Sequence, residues 1–188
     1  LTLLQAARAH LQARPAADAT AFRFLHCSTD EVFGSLAPDD APCDEQAPYR
    51  PRNPYAASKA AADHFVAAFH VTYGLPTLVT RGSNTYGPGQ HPEKLVALAI
   101  ERILAGEPVP LYGDGSAVRD WLYVDDHVAA LAAALERGTP GQSYNVAGHQ
   151  GVTNRALIGR LLAAVELETR ARDARPAGRG DGRRAGSL

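Results

Sequence analysis

The sequence contains no methionine and opens on Leu1, inside what reads as a helix. A complete translation product begins with Met, so the chain reads as a piece of a longer one. Cysteine is scarce: Cys27 and Cys43 stand alone without metal-ligand spacing, which excludes a disulfide framework and suits a reducing cytoplasm. The seven histidines form no ligand cluster, so no metal site is expected. Neither sign of charge dominates; the net charge of -1 leaves no electrostatic case for nucleic acid or a membrane surface as partner. No apolar run approaches the roughly 20 residues of a membrane span, and no signal-peptide pattern opens the chain. A phosphate-cradling glycine loop is missing too. Gly113-Asp114-Gly115-Ser116 has the first two glycines of a dinucleotide fingerprint but not the third, and it does not lie between a first strand and its helix. It reads as a turn.

What is present is enough for one sizeable core: 188 residues, 45% hydrophobic, suffice for one domain, or one with a small lobe. Leu1, Leu4, Ala7 and Leu11 form the apolar stripe of a helix ending near Ala13, before a turn at Pro15 and the Ala/Asp stretch after it. Phe22 to Cys27 reads as a buried strand, and Ser28-Thr29-Asp30 as the polar loop after it. A loop dense in Pro, Asp and Glu (38–51) leads to Asn53-Pro54, a helix cap and a first helical position. That helix carries Phe65, Val66 and Phe69 and stops at Gly74 and Pro76. Thr77 to Arg81 is a second buried strand. This alternation predicts a parallel α/β sheet with right-handed crossovers, in which ligands bind beyond the C-terminal ends of the strands. The polar clusters Ser28–Glu31 and Gly82–Gly87 then face one crevice. Further on, the pattern predicts a helix over 94–104, a strand over 109–112 and an extended piece over 120–124. A helix capped by Asp125, a strand over 143–146 and a helix from Asn154 to Glu166 behind Thr153 follow. After Thr169, Arg, Gly, Ala, Asp and Pro take over, and such a tail cannot offset its ordering entropy.

Three places could carry chemistry. Tyr55 and Lys59 are four apart and share one helix face, where an ammonium favours the phenolate; alone they equally describe a surface phenol and a solvated amine. Thr29-Asp30-Glu31 puts a hydroxyl and two acids at a strand end. These are either loop residues with Asp30 as a turn former, or two carboxyls pushed apart into an acid and a base. Arg119-Asp120-Trp121 offers a guanidinium suited to phosphate, or an Arg–Asp pair near the surface. His127, on the helix that follows, reads as a packed residue rather than a ligand.

Taken together, Ser28-Thr29-Asp30-Glu31-Val32-Phe33-Gly34, Pro54-Tyr55-Ala56-Ala57-Ser58-Lys59 with Ala62-Asp63-His64, Ser83-Asn84-Thr85-Tyr86-Gly87-Pro88, Pro92-Glu93-Lys94-Leu95 and Arg119 to His127 resemble the extended short-chain dehydrogenase/reductases, and within them the dTDP-glucose 4,6-dehydratases. The order and spacing hold from about residue 1 to 168. The resemblance implies an α/β fold: the C-terminal part of a Rossmann-type parallel sheet with a smaller α/β substrate-binding lobe. Residues 1–90 would be the second half of an NAD-binding domain, 91–168 a substrate lobe interleaved with the end of that sheet, and 169–188 a disordered tail. It implies NAD as cofactor, met by Ser28, Tyr55, Lys59 and Thr85. Tyr55 would take the proton of the sugar C4 hydroxyl, with Lys59 holding the ribose and tuning it. Glu31 would remove the C5 proton, Asp30 would protonate the departing C6 hydroxyl, and Thr29 would bind at C4. Asn84, Lys94, Leu95, Pro110, Leu111, Tyr112, Arg119 and Asn154 would grip the nucleotide-sugar substrate, dTDP-glucose in this family. The helices at 1–13 and 54–73 would pair two copies into a homodimer.

Three departures stand out. Members of the family open with a strand, a Gly-rich loop and two further βα units before the helix at Leu1. Thr85 stands where many of the dehydratases have Asn. Near the end, Arg175-Pro176-Ala177-Gly178-Arg179 replaces the family's Arg-Pro-Gly-His-Asp, as a reading-frame slip would produce. Two other readings remain: an epimerase or decarboxylase of the same superfamily, or a non-catalytic fragment. Epimerases place Ser-Ala at Thr29-Asp30, so the adjacent acids favour the dehydratase.

Overall fold

The computed structural model describes residues 1–15, 21–36, 40–111 and 113–173. Tyr112, the Ala/Asp stretch at 16–20, the positions 37–39 and the tail from 174 onward lie outside the described residues. The described chain divides into two compact units, one of residues 1–89 and 118–152, the other of 90–117 with 153 onward.

In the first unit α1 (Thr2–Gln12) precedes β1 (Phe24–Thr29), a 3-10 turn (Asp30–Phe33), α2 (Pro54–Tyr73) and β2 (Thr77–Gly82). β1 and β2 run parallel, with Phe24 opposite Thr77 and Thr29 opposite Gly82. On its other side β2 pairs, again in parallel, with β5 (Ser143–Val146), so the order is β1-β2-β5. The parallel α/β reading holds. β2 is central and buried along its whole length, whereas β1 lies at the edge and is buried throughout only at Thr29. This corrects the expectation of a fully buried first strand, which also starts at Phe24 rather than Phe22 and takes Ser28 and Thr29 into its end.

The helices form for reasons visible in the chain. The Asn53 carboxamide oxygen accepts from the Ala56 N–H at 2.7 Å, Pro54 occupies the first turn, and Gly74 closes α2 at φ 66°, a left-handed conformation that suits a residue without a Cβ. α2 buries Ala56, Ala60, Asp63, Val66 and Phe69. Phe65, grouped with them by spacing, lies on the outer face at 48% exposure. Leu4 of α1, Val66, Phe69, Leu75 and Val79 make the main core cluster, with Ala7, Leu11, Phe22 and Phe24 packed on it. Each such large side chain contributes roughly 1.5–3 kcal/mol by leaving water. A second cluster, Val32, Phe33 and Ala60 with Cys43, Ala47 and Tyr49, lies beside the 3-10 turn.

After β2, three residues of the Gly82–Gly87 cluster form a strand of their own. Asn84–Tyr86 forms β3, paired in parallel with β4 (Val118–Tyr123), and β6 (Gly151–Thr153) completes a second sheet in the order β3-β4-β6. α4 (Val124–Arg137) starts earlier than expected: Tyr123 is its cap, and Asp125 lies in the first turn. In the second unit α3 (Leu95–Leu104) packs against α5 (Asn154–Asp173). The expected strand over 109–112 is absent at 109–111, where Pro110 brings no ladder donor. α5 runs to Asp173, beyond Glu166, because no Gly or Pro follows Glu166 before Pro176. No described helix is long and apolar enough to cross a membrane.

Candidate active site

The register of the first sheet puts Thr29, Gly82 and Val146 at one level, at the C-terminal ends of their strands. From there the chain turns sharply. The Thr29 Oγ1 accepts from the Glu31 N–H at 3.3 Å and donates to Asp30 Oδ1 at 3.2 Å, so one hydroxyl shapes the 3-10 turn and holds the first acid. The two acids then part company. Burial pushes the Asp30 carboxyl above its ordinary value; the Thr29 hydrogen bond opposes this, and the charges of Glu31 and Asp120 add to it. Glu31 is exposed, and its Oε2 accepts from Asn53 Nδ2 at 2.9 Å.

Asn53 is a link that the sequence reading saw only as a cap. One face of its carboxamide starts α2 and the other holds Glu31. The helix bearing Tyr55 and Lys59 is thereby fastened to the acid pair. Tyr55 is 55% exposed in the first turn, and Ser58 Oγ donates to its backbone carbonyl at 2.8 Å. Lys59 Nζ donates to the Cys27 carbonyl at 2.5 Å, which pins the ammonium against the end of β1. Tyr55, Lys59, Asp30, Glu31 and Thr29 thus belong to neighbouring segments of one unit.

Beneath them lies a buried polar hub. Arg81 Nε donates to Asp63 Oδ2 at 3.2 Å, the Tyr49 hydroxyl donates to the same oxygen at 2.8 Å, and His26 Nε2 lies 3.2 Å from Asp63 Oδ1. Arg81 also donates to the Tyr49 hydroxyl at 2.5 Å and to Ser143 Oγ at 3.1 Å. Burial alone would raise the Asp63 carboxyl, yet the polar groups facing it, His26 and Ser28 and then Tyr49 and Arg81, together bring it below its ordinary value. The Tyr49 phenol, buried and facing that carboxylate, is pushed up to about 12. Asp63 could have been flagged from sequence. It falls on the apolar stripe of α2, and an acid there must find partners.

The second strand end carries Thr85, whose Oγ1 donates to the Ser83 carbonyl at 3.3 Å and lies 2.8 Å from His127 Nδ1. Asn84 sits opposite Trp121 in the β3–β4 register. Arg119 and Asp120 are not an ion pair among the described residues: Asp120 accepts from the Gly148 and Gln150 N–H groups at 2.6 and 2.8 Å, while the exposed Arg119 reaches only the Val118 carbonyl at 3.3 Å. Of the remaining candidates, Lys94, Leu95, Pro110, Leu111 and Asn154 fall in the second unit, and Tyr112 lies outside the described residues. Lys94 is the exposed cap residue of α3; Asn154 opens α5 with its Oδ1 buried and unpartnered. Among the described residues no group of three or more His, Cys, Asp and Glu could hold a metal.

The sequence profile described as GDP-mannose 4,6 dehydratase matches residues 1–183. The chain belongs to this family. A dTDP-glucose 4,6-dehydratase of Xanthomonas campestris pv. campestris (strain B100) is 48% identical over 176 residues, which are 94% of this chain and 50% of that protein. Among solved structures, dTDP-glucose 4,6-dehydratase from Bacillus anthracis in complex with NAD aligns with a TM-score of 0.80 at 39% identity, over 88% of this chain and 50% of the other. The Streptomyces venezuelae enzyme with NAD and TYD bound aligns with a TM-score of 0.75 at 45% identity, over 87% and 49%. The chain therefore spans about half the length of the family members it matches. Its fold is the Rossmann-type α/β fold of these dehydratases.

Proposed function

We propose that this chain is the catalytic and substrate-binding part of an NAD-dependent dTDP-glucose 4,6-dehydratase, a lyase yielding dTDP-4-keto-6-deoxyglucose. One observation carries the reading: Asp30 and Glu31, adjacent on the turn after β1, sit in unlike surroundings, with Asp30 raised by burial and Glu31 exposed and tied to the Tyr55 helix. Two carboxyls in such environments suit an acid and a base. Glu31 removes the C5 proton and Asp30 gives its proton to the leaving C6 hydroxyl, so water departs across C5 and C6. Tyr55 accepts the C4 hydroxyl proton, Lys59 supports that phenol and the ribose, and Thr29 holds the sugar at C4. Bound there, NAD would supply the hydride acceptor for C4 and the hydride donor for C6; with a proton restored to C5, no net oxidation would result.

The residues present fit the nicotinamide–ribose end of that cofactor. Tyr55 is open on the first turn and Lys59 is pinned to the neighbouring strand end; we assign the remaining cofactor contacts to Ser28 and Thr85. Nothing in the sequence supplies a pyrophosphate loop. Titrating the 188-residue chain with NAD is therefore expected to give negligible binding; micromolar affinity by calorimetry contradicts this. We assign the grip on the nucleotide sugar to Asn84 and Arg119 of the first unit and to Lys94, Leu95, Pro110, Leu111, Tyr112 and Asn154 of the second. Residues 1–90 then act as the cofactor side and 91–168 mainly as the substrate lobe. Leu1, Leu3, Ala61 and Phe65 line one shallow groove on α1 and α2, with Leu3 75% exposed, which supports a homodimer through these helices. The two free thiols, Cys27 and Cys43, support a cytoplasmic setting.

The test is an assay of a full-length protein carrying this sequence on dTDP-glucose. A 4-keto-6-deoxy product is expected. A sugar epimerised at C4 in its place overturns the assignment.

A further inference from the structure

We infer that His127 is a positioning residue for Thr85: as the Nδ1–H tautomer it donates to the Thr85 hydroxyl and commits that hydroxyl's own hydrogen to the Ser83 carbonyl. The Thr85 oxygen lies 2.8 Å from His127 Nδ1 and 3.3 Å from the Ser83 oxygen. A carbonyl can only accept, and a hydroxyl has one hydrogen. Both contacts are hydrogen bonds together only if the hydrogen between Thr85 and His127 belongs to the ring. Burial lowers the His127 imidazole below its ordinary value of 6.5, so the ring is neutral at physiological pH and carries a single N–H, which must then be on Nδ1.

The ring's place is fixed by the strand beside it. A Cβ at Gly82 would stand 2.9 Å from both His127 Cε1 and Nε2, nearer than real Cβ atoms come. Gly82, at the end of β2, is thus the gap into which the imidazole fits, and it presents Nδ1 to Thr85 on β3. Towards a ligand, Thr85 has no hydrogen left to offer. A group meeting its oxygen must be a donor, such as a carboxamide N–H. That this group belongs to a nicotinamide rests on the proposed function; the tautomer does not.

Free imidazole favours the Nε2–H form, so the inference departs from the default and can be read directly. In the 188-residue chain with 15N-labelled histidine, long-range 1H–15N spectra above pH 7.5 are expected to show His127 as the Nδ1–H tautomer. Thr85→Ser keeps the oxygen and is expected to preserve it; Thr85→Val, of the same shape, is expected to turn His127 predominantly to Nε2–H. An Nε2–H ring in the unaltered chain, or a tautomer indifferent to Thr85→Val, overturns the inference. These spectra need neither cofactor nor sugar. A failed dehydration assay leaves them unchanged, and a wrong tautomer leaves the dehydratase reading intact.

Discussion

Asp30 is held partly out of water, which disfavours the charged form of its carboxyl. Because burial raises its carboxyl in the folded state, the native chain binds more protons than the unfolded chain as pH rises from 3.8 towards the raised value. Stability is lost across that window and stays lower above it. Asp30→Asn is therefore expected to raise the melting temperature at pH 7 by a few degrees, a gain that fades below the ordinary value of 3.8. In a full-length protein the same change should abolish water loss. His127 works in the opposite sense. Its imidazole is lowered, the unfolded chain binds the extra proton, and stability declines as pH falls below 6.5. Thermal unfolding between pH 5 and 8 is expected to show that decline, with a smaller slope in His127→Phe.

At the scale of elements, α2 is the best-determined piece, and its start does two jobs that can be separated. Asn53→Ala removes both the cap and the Glu31 contact, and it is expected to cost about 1 kcal/mol in urea unfolding. Asn53→Asp keeps an acceptor for the Ala56 N–H but loses the donor to Glu31. It should stay within about 0.5 kcal/mol of the unaltered chain, while turnover in a full-length protein falls several-fold. α2 was legible because its signals are local: Asn53, Pro54 and Gly74 mark its ends, and the apolar stripe repeats at helical spacing. β2 was legible from Leu78 and Val79 between two β-favouring threonines, directly after the Gly74–Pro76 helix stop. β3 and β6 were not, since each is three residues long and exists through pairing that no local pattern announces. Over the described residues 109–111 the expected strand is absent for the reverse reason: a short apolar run containing Pro110 found no ladder. At the site, residue types and order revealed Tyr55, Lys59, Asp30 and Glu31, whereas Asn53 to Glu31 and Thr85 to His127 are contacts across 22 and 42 residues that only folding creates.

Across the whole molecule, one hub joins the segments that the site needs. Asp63 on α2, Arg81 on β2, His26 on β1, Tyr49 in the loop and Ser143 on β5 meet where Asp63 and Arg81 are 3% and 5% exposed. Asp63→Ala strands a buried guanidinium and is expected to cost roughly 3–5 kcal/mol in urea unfolding. Adding Arg81→Met should recover part of that loss, because the second change removes the charge that the first left alone. The first sheet also has an outer rim. Among the described residues β1 has a neighbour on one side only, so its far side offers a ladder of amides and carbonyls from Phe24 to Thr29. A strand that seats there with the polarity of β1 continues the parallel pattern of β1, β2 and β5. Such a strand need not be covalently attached: a separate polypeptide seated on this rim adds its own amides and carbonyls to the same ladder in trans.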